Sequence, residues 1–300
     1  MPKTRARTDT GEGPSRGEID LERLQEEQAD ALGLSSGSPI SNFKAADRFL
    51  AGVGMALRYG PTEGLPLASL YRAFAGPEPG KAALSRGIAL TNRLLGEARA
   101  IEVHVIAARV TLVHRSLMPA LYRLVRRGRS PDDLEGVSAH ARTAHVLLKE
   151  RREVTAGEVR QRLGLRFDAN RDPAYAALGE LAGLLLVDRG PFEVSKSGLP
   201  YLSSDGYPYH LFHEAHADLV RAAARGSFAA AAEGFLEAYL RAAVFARVRK
   251  LATLFKAFLS ADDIEAALQA LAQRKTSRID VRRVGRDRIA LYVATPAPRS

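Results

Sequence analysis

The stretch AVFARVRKLATLFKAFLSADDIEAALQALAQRKTSRIDVRRVGRDRIALYV, residues 243–293, changes its hydrophobic period partway along, and that change decides the fold class. Val248, Leu251, Ala252 and Phe255, then Ile264, Ala267, Leu268 and Leu271, recur at the spacing of one helical face. Ser260 and Asp263 stand at capping-box spacing between these two helices, with Asp in place of the usual Glu, and Asp262 and Asp263 suit a helix N-terminus. Beyond Lys275 the period becomes two, through Ile279 and Val281 and then Ile289, Leu291 and Val293, with Val284 to Asp287 as the turn. Two helices followed by a hairpin is the order of a winged helix.

Cations are unevenly placed on this stretch. Arg247, Arg249 and Lys250 open the first helix, while Arg274, Lys275, Arg278, Arg282, Arg283, Arg286 and Arg288 gather at the end of the second helix and along the hairpin. A basic wing of this kind can lie on phosphates, where each neutralised phosphate releases counterions and makes binding fall steeply with salt. The plainer reading is a solvated hairpin whose arginines keep an edge strand soluble. The second helix exposes Asp262, Glu265, Gln269 and Gln273. Acids there repel phosphate, so the sequence favours binding led by the wing or by DNA shape over base readout by this helix, although glutamine can pair with adenine.

Composition narrows the partner. The 300 residues carry a formal charge of +10 and no cysteine, with a pI near 10.0. Such a charge favours a polyanion, and double-stranded DNA over an anionic membrane surface. The absence of cysteine excludes disulfides, thiolate zinc sites and cysteine nucleophiles. No apolar run reaches the length of a membrane span, and Met1 to Asp20 lacks the apolar centre of a secretory signal, so the expected location is the cytoplasm, on the nucleoid of a bacterium. Arginine grips phosphate bidentately where lysine acts as a point charge, although a G+C-rich genome also encodes many arginines.

Four regions are expected. Residues 1–41 mix Gly, Pro, Ser and charges of both signs and read as a disordered tail, with helix feasible from Ile19 to Leu32. Residues 42–130 read as a helical domain that can be drawn as winged-helix-like, with a helix from Phe43 to Gly60-Pro61, β-branched residues for one or two strands from Ile101 to Val113, and a basic, exposed connector at Arg126 to Pro131. Residues 131–205 repeat the winged-helix pattern. Val137, Ala141, Ala144 and Leu148 line a first helix, Thr155 to Glu158 is a capping box, and Tyr175, Leu178, Leu181 and Leu185 stripe a third helix that begins at Pro173. A wing from Leu184 to Asp188 and Pro191 to Ser195 would follow. Arg160, Arg162, Arg166 and Arg171 are candidate phosphate contacts, and Ala174 and Ala177 read as exposed small residues able to approach a groove floor. Residues 206–300 hold a linker helix from Tyr207 to Ala224 and the C-terminal winged helix. The fold class is therefore mainly α with small β-hairpins, α+β, built from tandem winged helix-turn-helix modules.

Chemical motifs are sparse. His210, His213 and His216 fall three apart, but on a helix each step of three drifts the rings by roughly 60°, and no cysteine completes a site. No P-loop, GxGxxG or serine-nucleophile motif occurs, so no metal and no cofactor are expected.

The run from Val137 through Tyr175 to Leu185, then Tyr207-Pro-Tyr209-His-Leu-Phe-His213, then the C-terminal module, resembles the AlkZ-like proteins. These are tandem winged-helix proteins that include bacterial DNA glycosylases acting on alkylated bases and interstrand crosslinks. The resemblance covers about Phe43 to Val293. It implies a catalytic triplet of Gln, an apolar residue and Gln or Asp that positions the attacking water. The matching triplet here is Gln28-Ala29-Asp30, which falls in the expected tail, a departure from the family's pattern because a site must hold its groups rigidly. The reading that follows is a DNA-binding protein of repair or transcription and a non-catalytic relative of the family. A glycosylase and a protein-interaction module remain as alternatives, and oligomeric state is left open.

Overall fold

One order of elements recurs three times in the computed structural model, which describes residues 19–35, 37–168, 171–189 and 208–293. Ahead of the first unit lies α1 (Leu21–Ala31). The first unit runs α2 (Phe43–Val53), β1 (Met55–Leu57), β2 (Ala68–Ser69), α3 (Leu70–Ala75), α4 (Lys81–Gly96), β3 (Ala100–Ile106) and β4 (Arg109–His114). After α5 (Met118–Arg126), the second runs α6 (Ala139–Arg151), β5 (Glu153–Thr155), α7 (Ala156–Leu163), α8 (Pro173–Gly183), β6 (Val187–Arg189) and β7 (Pro208–Leu211). After α9 (Phe212–Ala215) and α10 (Ala217–Ala224), the third runs α11 (Phe228–Ala243), β8 (Phe245–Arg247), α12 (Val248–Phe255), α13 (Ala261–Gln273), β9 (Ile279–Val284) and β10 (Asp287–Tyr292).

The sheets repeat as well. Their orders are β2-β1-β4-β3, β5-β7-β6 and β8-β10-β9, so in each unit the short first strand pairs with the last strand, and in the first unit it also pairs, in parallel, with β2. Each first helix stops at a residue of positive φ, Gly54 at 71°, Arg152 at 65° and Val244 at 62°, which turns the chain directly into that first strand. The result is mainly helical with small, mostly antiparallel sheets, an α+β fold, as the change of period implied.

The cores are shared unequally. One apolar cluster runs from Met55 and Val113 through Phe235 and Phe255 to Leu271 and Ala290, joining the first and third units. The second unit closes a cluster of its own, from Val137 to Leu211. Within it, Ala174 and Ala177 are 0% and 1% exposed. The expectation that they face a DNA groove is therefore wrong. The buried stripe of α8 keeps the expected Leu178 and Leu181 and adds Ala174 and Ala177, while Tyr175 is only half-buried, and it faces α6, whose own alanines Ala141 and Ala144 are buried. Small residues on both helices let the backbones approach closely.

Other expectations are corrected too. Within the segment read as tail, the helix held feasible from Ile19 to Leu32 forms as α1, capped by the Asp20 carboxylate, and it is packed: Ile19, Leu21 and Leu24 lie on Phe245, Ile289 and Leu291 of the third unit's sheet. The apolar face of this helix has a partner that no local pattern reveals. Helix α2 ends at Val53, before Gly60, because Met55–Leu57 pairs with Thr111–Val113. The expected linker helix begins only at Phe212, since Pro208–Leu211 pairs with both β5 and β6. The expected strand Pro191 to Ser195, like Tyr207, lies outside the described residues.

The basic connector is exposed at Arg127, Gly128 and Ser130, but its first residue is not. Arg126 is 1% exposed and donates to the carbonyls of Leu184, at 3.4 Å, and Asp133, at 3.3 Å, in the second unit. Arg127 donates to Phe258 O at 3.2 Å and to Asp263 at 2.9 Å in the third. Consecutive arginines thus bolt α5 to two different units.

Candidate nucleic-acid interface

The exposed side of α13 and the hairpin β9–β10 enclose a groove lined by Glu265, Gln269, Gln273, Arg282, Arg283, Arg286 and Arg288. Helix α13 is fixed at its start by the capping box of Ser260 and Asp263, whose reciprocal bonds measure 2.9 and 3.0 Å. It is fixed along its length by Ile264, Ala267, Leu268 and Leu271 in the core. The hairpin turns at Gly285-Arg286, with Gly285 at φ 59°, the conformation that a two-residue loop needs at its first position and that glycine adopts without strain.

Register brings like charges together. Arg288 stands directly opposite Arg283 across the ladder, and Arg282 opposite Ile289. Like charges in facing positions destabilise a sheet. Arg288 is balanced by an ion pair with Glu265 at 2.5 Å, and Arg282 by Asp280 at 2.7 Å. Among the described residues Arg283 and Arg286 form no ion pair, and both are exposed.

Of the acids expected to repel phosphate, Glu265 is paired with Arg288, and Asp262 is exposed with no ion pair among the described residues. Asp263 lies below the usual carboxylate range, because its Ser260 hydrogen bonds and Arg127 outweigh the opposing effect of burial. The face of α13 that lines the groove is thus nearer to neutral than its sequence suggests, with Gln269 and Gln273 one turn apart on it.

The remaining candidates scatter. Arg247 and Arg249 both pair with Asp287, beside the turn of the hairpin, and Arg274 pairs with Glu233. Lys275 and Arg278 are exposed, with no ion pair among the described residues. Lys250 is exposed and lines a separate cleft with Arg247, Gln25 and Gln28. In the second unit Arg162, Arg166 and Arg171 are exposed, but they do not line the groove. Arg160 is a correction: 5% exposed, it forms a buried ion pair with Asp172, the N-cap of α8, and lies over the Phe167 ring at 5.0 Å. Its guanidinium organises the second unit, where the sequence suggested a hold on phosphate.

Gln28 and Asp30 are ordered, against expectation, yet they do not converge. Two residues apart on α1, their side chains diverge by roughly 160°. Gln28 donates to Ala243 O at 2.6 Å and to Phe245 O at 2.8 Å, satisfying carbonyls where α11 gives way to β8. Asp30 accepts from Ser35 Oγ. The histidines part as well: His216 bonds Asp188 at 2.8 Å, and His210 lies 3.6 Å from Glu153.

Sequence reasoning missed a buried charge cluster in which Glu102, on β3, takes ion pairs from Arg58 of the first unit and Arg189 of the second. A single Glu within a β-branched run was its only local sign.

No protein-family model and no curated protein matches the chain. Among solved structures it is similar to the Streptomyces sahachiroi DNA glycosylase AlkZ, at 13% identity and a TM-score of 0.55, over 91% of this chain and 70% of that one. The shared property is architecture, and on it this chain has an AlkZ-like fold.

Proposed function

We propose that the chain binds double-stranded DNA through the groove between α13 and β9–β10, with its three repeated units acting as winged helices, of which the third presents the working wing. The observation that carries this reading is the pair of arginines, Arg283 and Arg286, left without counter-ions beside the facing cation of Arg288 on an exposed hairpin. Such a cluster costs stability unless a polyanion neutralises it. The fold neighbour is a DNA glycosylase, which supports DNA as the partner. A role in repair or transcription on the nucleoid fits a protein of this charge.

Fluorescence anisotropy with a labelled duplex across a salt series tests the groove. Reversing both charges, Arg283→Glu with Arg286→Glu, is expected to weaken binding by about tenfold or more and to lower the slope of log K against log salt by about two. An unchanged slope would remove the hairpin from the interface. Since Gln28 and Asp30 do not converge on one water, no base excision through that pair is proposed. Abasic sites formed in alkylated or crosslinked duplexes, and lost in Gln28→Ala, would establish the enzyme instead.

A further inference from the structure

The first unit holds a cavity of about 180 Å³ between α3 and α4, far in sequence from the basic hairpin and lined by none of the groove's residues. Leu84, Gly87 and Ile88 of α4 supply an apolar wall, Tyr59 and Tyr71 supply aromatic rings, and Asn92 supplies a polar edge. Tyr59 is 58% exposed, one of the few large apolar side chains in the described residues to be so. The Arg58 guanidinium lies 5.7 Å from its ring centroid and is itself anchored by Glu102. Asn92 and Tyr71 are half-buried, and among the described residues neither side chain has a hydrogen-bond partner.

These properties select a ligand class. An apolar cavity of roughly 150 Å³ is enough to hold a benzene ring, so the space here suits one planar ring system and excludes a folded peptide. Aromatic rings beside an apolar wall favour stacking over a flat π-face. An amide offers one donor and one acceptor side by side, the pattern that pairs with the edge of a heteroaromatic ring. Gly87 keeps the wall low: a Cβ there would meet Phe74 and Ala75 at 3.5 Å, ordinary contact, so packing does not demand glycine in the interior of a helix that would favour alanine.

We infer that this cavity binds a planar heteroaromatic ring, stacked on Tyr59 and read at its edge by Asn92. The ring can come from a free nucleoside or from an unpaired base of a strand.

Saturation-transfer NMR on the full chain separates the cases, with adenosine, indole, cyclohexanol and the ten-nucleotide strand of deoxyadenosine as probes. Adenosine and indole are expected to bind saturably and cyclohexanol not to. Tyr59→Ala, an exposed position that leaves the fold intact by circular dichroism, should weaken both rings by roughly tenfold. Asn92→Ala should weaken adenosine by about fivefold and leave indole unchanged. Loss of strand binding in Tyr59→Ala, measured in the Arg283→Glu/Arg286→Glu background, would assign the ring to an unpaired base, and a Tyr59 dependence confined to adenosine would assign it to a free ligand. Adenosine binding should be insensitive to salt, so its presence or absence is independent of duplex binding by the groove. No saturable binding of either ring, or binding that Tyr59→Ala leaves intact, would overturn the inference.

Discussion

The hairpins β3–β4 and β9–β10 occupy the same place in two copies of one arrangement, yet they have opposite fates. The first turns through Ala107 and Ala108, both at positive φ, 50° and 52°, a conformation that costs an L-residue with a Cβ roughly 1–2 kcal/mol. Its tip is docked: the Ala107 amide donates to Leu254 O of α12 at 2.9 Å, and Val103, Val105 and Ile106 enter the core shared with the third unit. The second hairpin turns without strain through Gly285 and stands exposed, with four arginines in place of the single Arg109. A wing that packs against a neighbour can tolerate a strained turn and has no use for charge, because docking supplies what the turn loses. A wing whose arginines face solvent carries unpaired cations stably only where a polyanion meets them. Equivalent topology therefore does not mean equivalent function.

The largest effect should come from cutting the core that docks the first hairpin. Phe255 is fully buried, edge-on to Phe235 at 5.1 Å and to Tyr239 at 5.2 Å. Phe255→Ala should cost about 3–5 kcal/mol, and hydrogen exchange should show the amides of β3–β4 losing protection together with those of β9–β10. Protection lost in the third unit alone would mean that the first hairpin is not held by its docking.

Next in size is the contrast in binding. Charge reversal at Arg109 on the docked hairpin should leave duplex affinity within about twofold, against the loss of tenfold or more expected for Arg283 and Arg286. Equal losses measured by anisotropy would break the distinction between the two wings.

A smaller effect separates the second unit, whose core is its own. His145 is 2% exposed and its Nε2 has no hydrogen-bond partner, so burial, only partly opposed by Asp132, holds its pKa below the usual 6.5. As pH falls through 6.5 the unfolded chain takes up a proton that the folded imidazole refuses, so this contribution is complete above that pH and declines below it. Urea unfolding between pH 8 and 5 should show the loss, and His145→Gln should flatten it. A wild-type profile that is already flat would assign no such role to His145.

The smallest effect concerns the strained turn. Ala108→Gly should stabilise the chain by about 0.5–1 kcal/mol, read as a raised melting temperature, by relieving the positive φ. Substituting the neighbour of Gly285 in the same way, Arg286→Gly, should bring no such gain, because that hairpin has no strain to release.

How far local pattern reaches is clearest in particular elements. Both capping boxes, at Thr155 and at Ser260, form as their spacing implied, since a cap is satisfied within four residues of chain. The hairpin at 279–292 was equally legible, with its period of two and its glycine turn. Helix α8 and its buried leucines were legible, but Ala174 and Ala177 were not, because alanine serves a close helix contact and a solvated face equally well. Arg160 looked like its neighbour Arg162, although one is buried against Asp172 and the other is in solvent.

What the sequence determined by itself was whatever a helical or strand period, a cap or a turn residue encodes over a few positions: the succession of helices, the last hairpin, the α+β class and the concentration of arginine at 274–288. Only the tertiary structure decided which cations were left without partners, that α1 straps the third unit's sheet, that Gln28 and Asp30 point apart, and that one hairpin docks its tip on another unit while its counterpart leaves its arginines to solvent. Each of these depends on contacts between residues far apart in the chain, such as Gln28 with Phe245 or Ala107 with Leu254. Charge and burial are set by those partners, and no local period carries their identity.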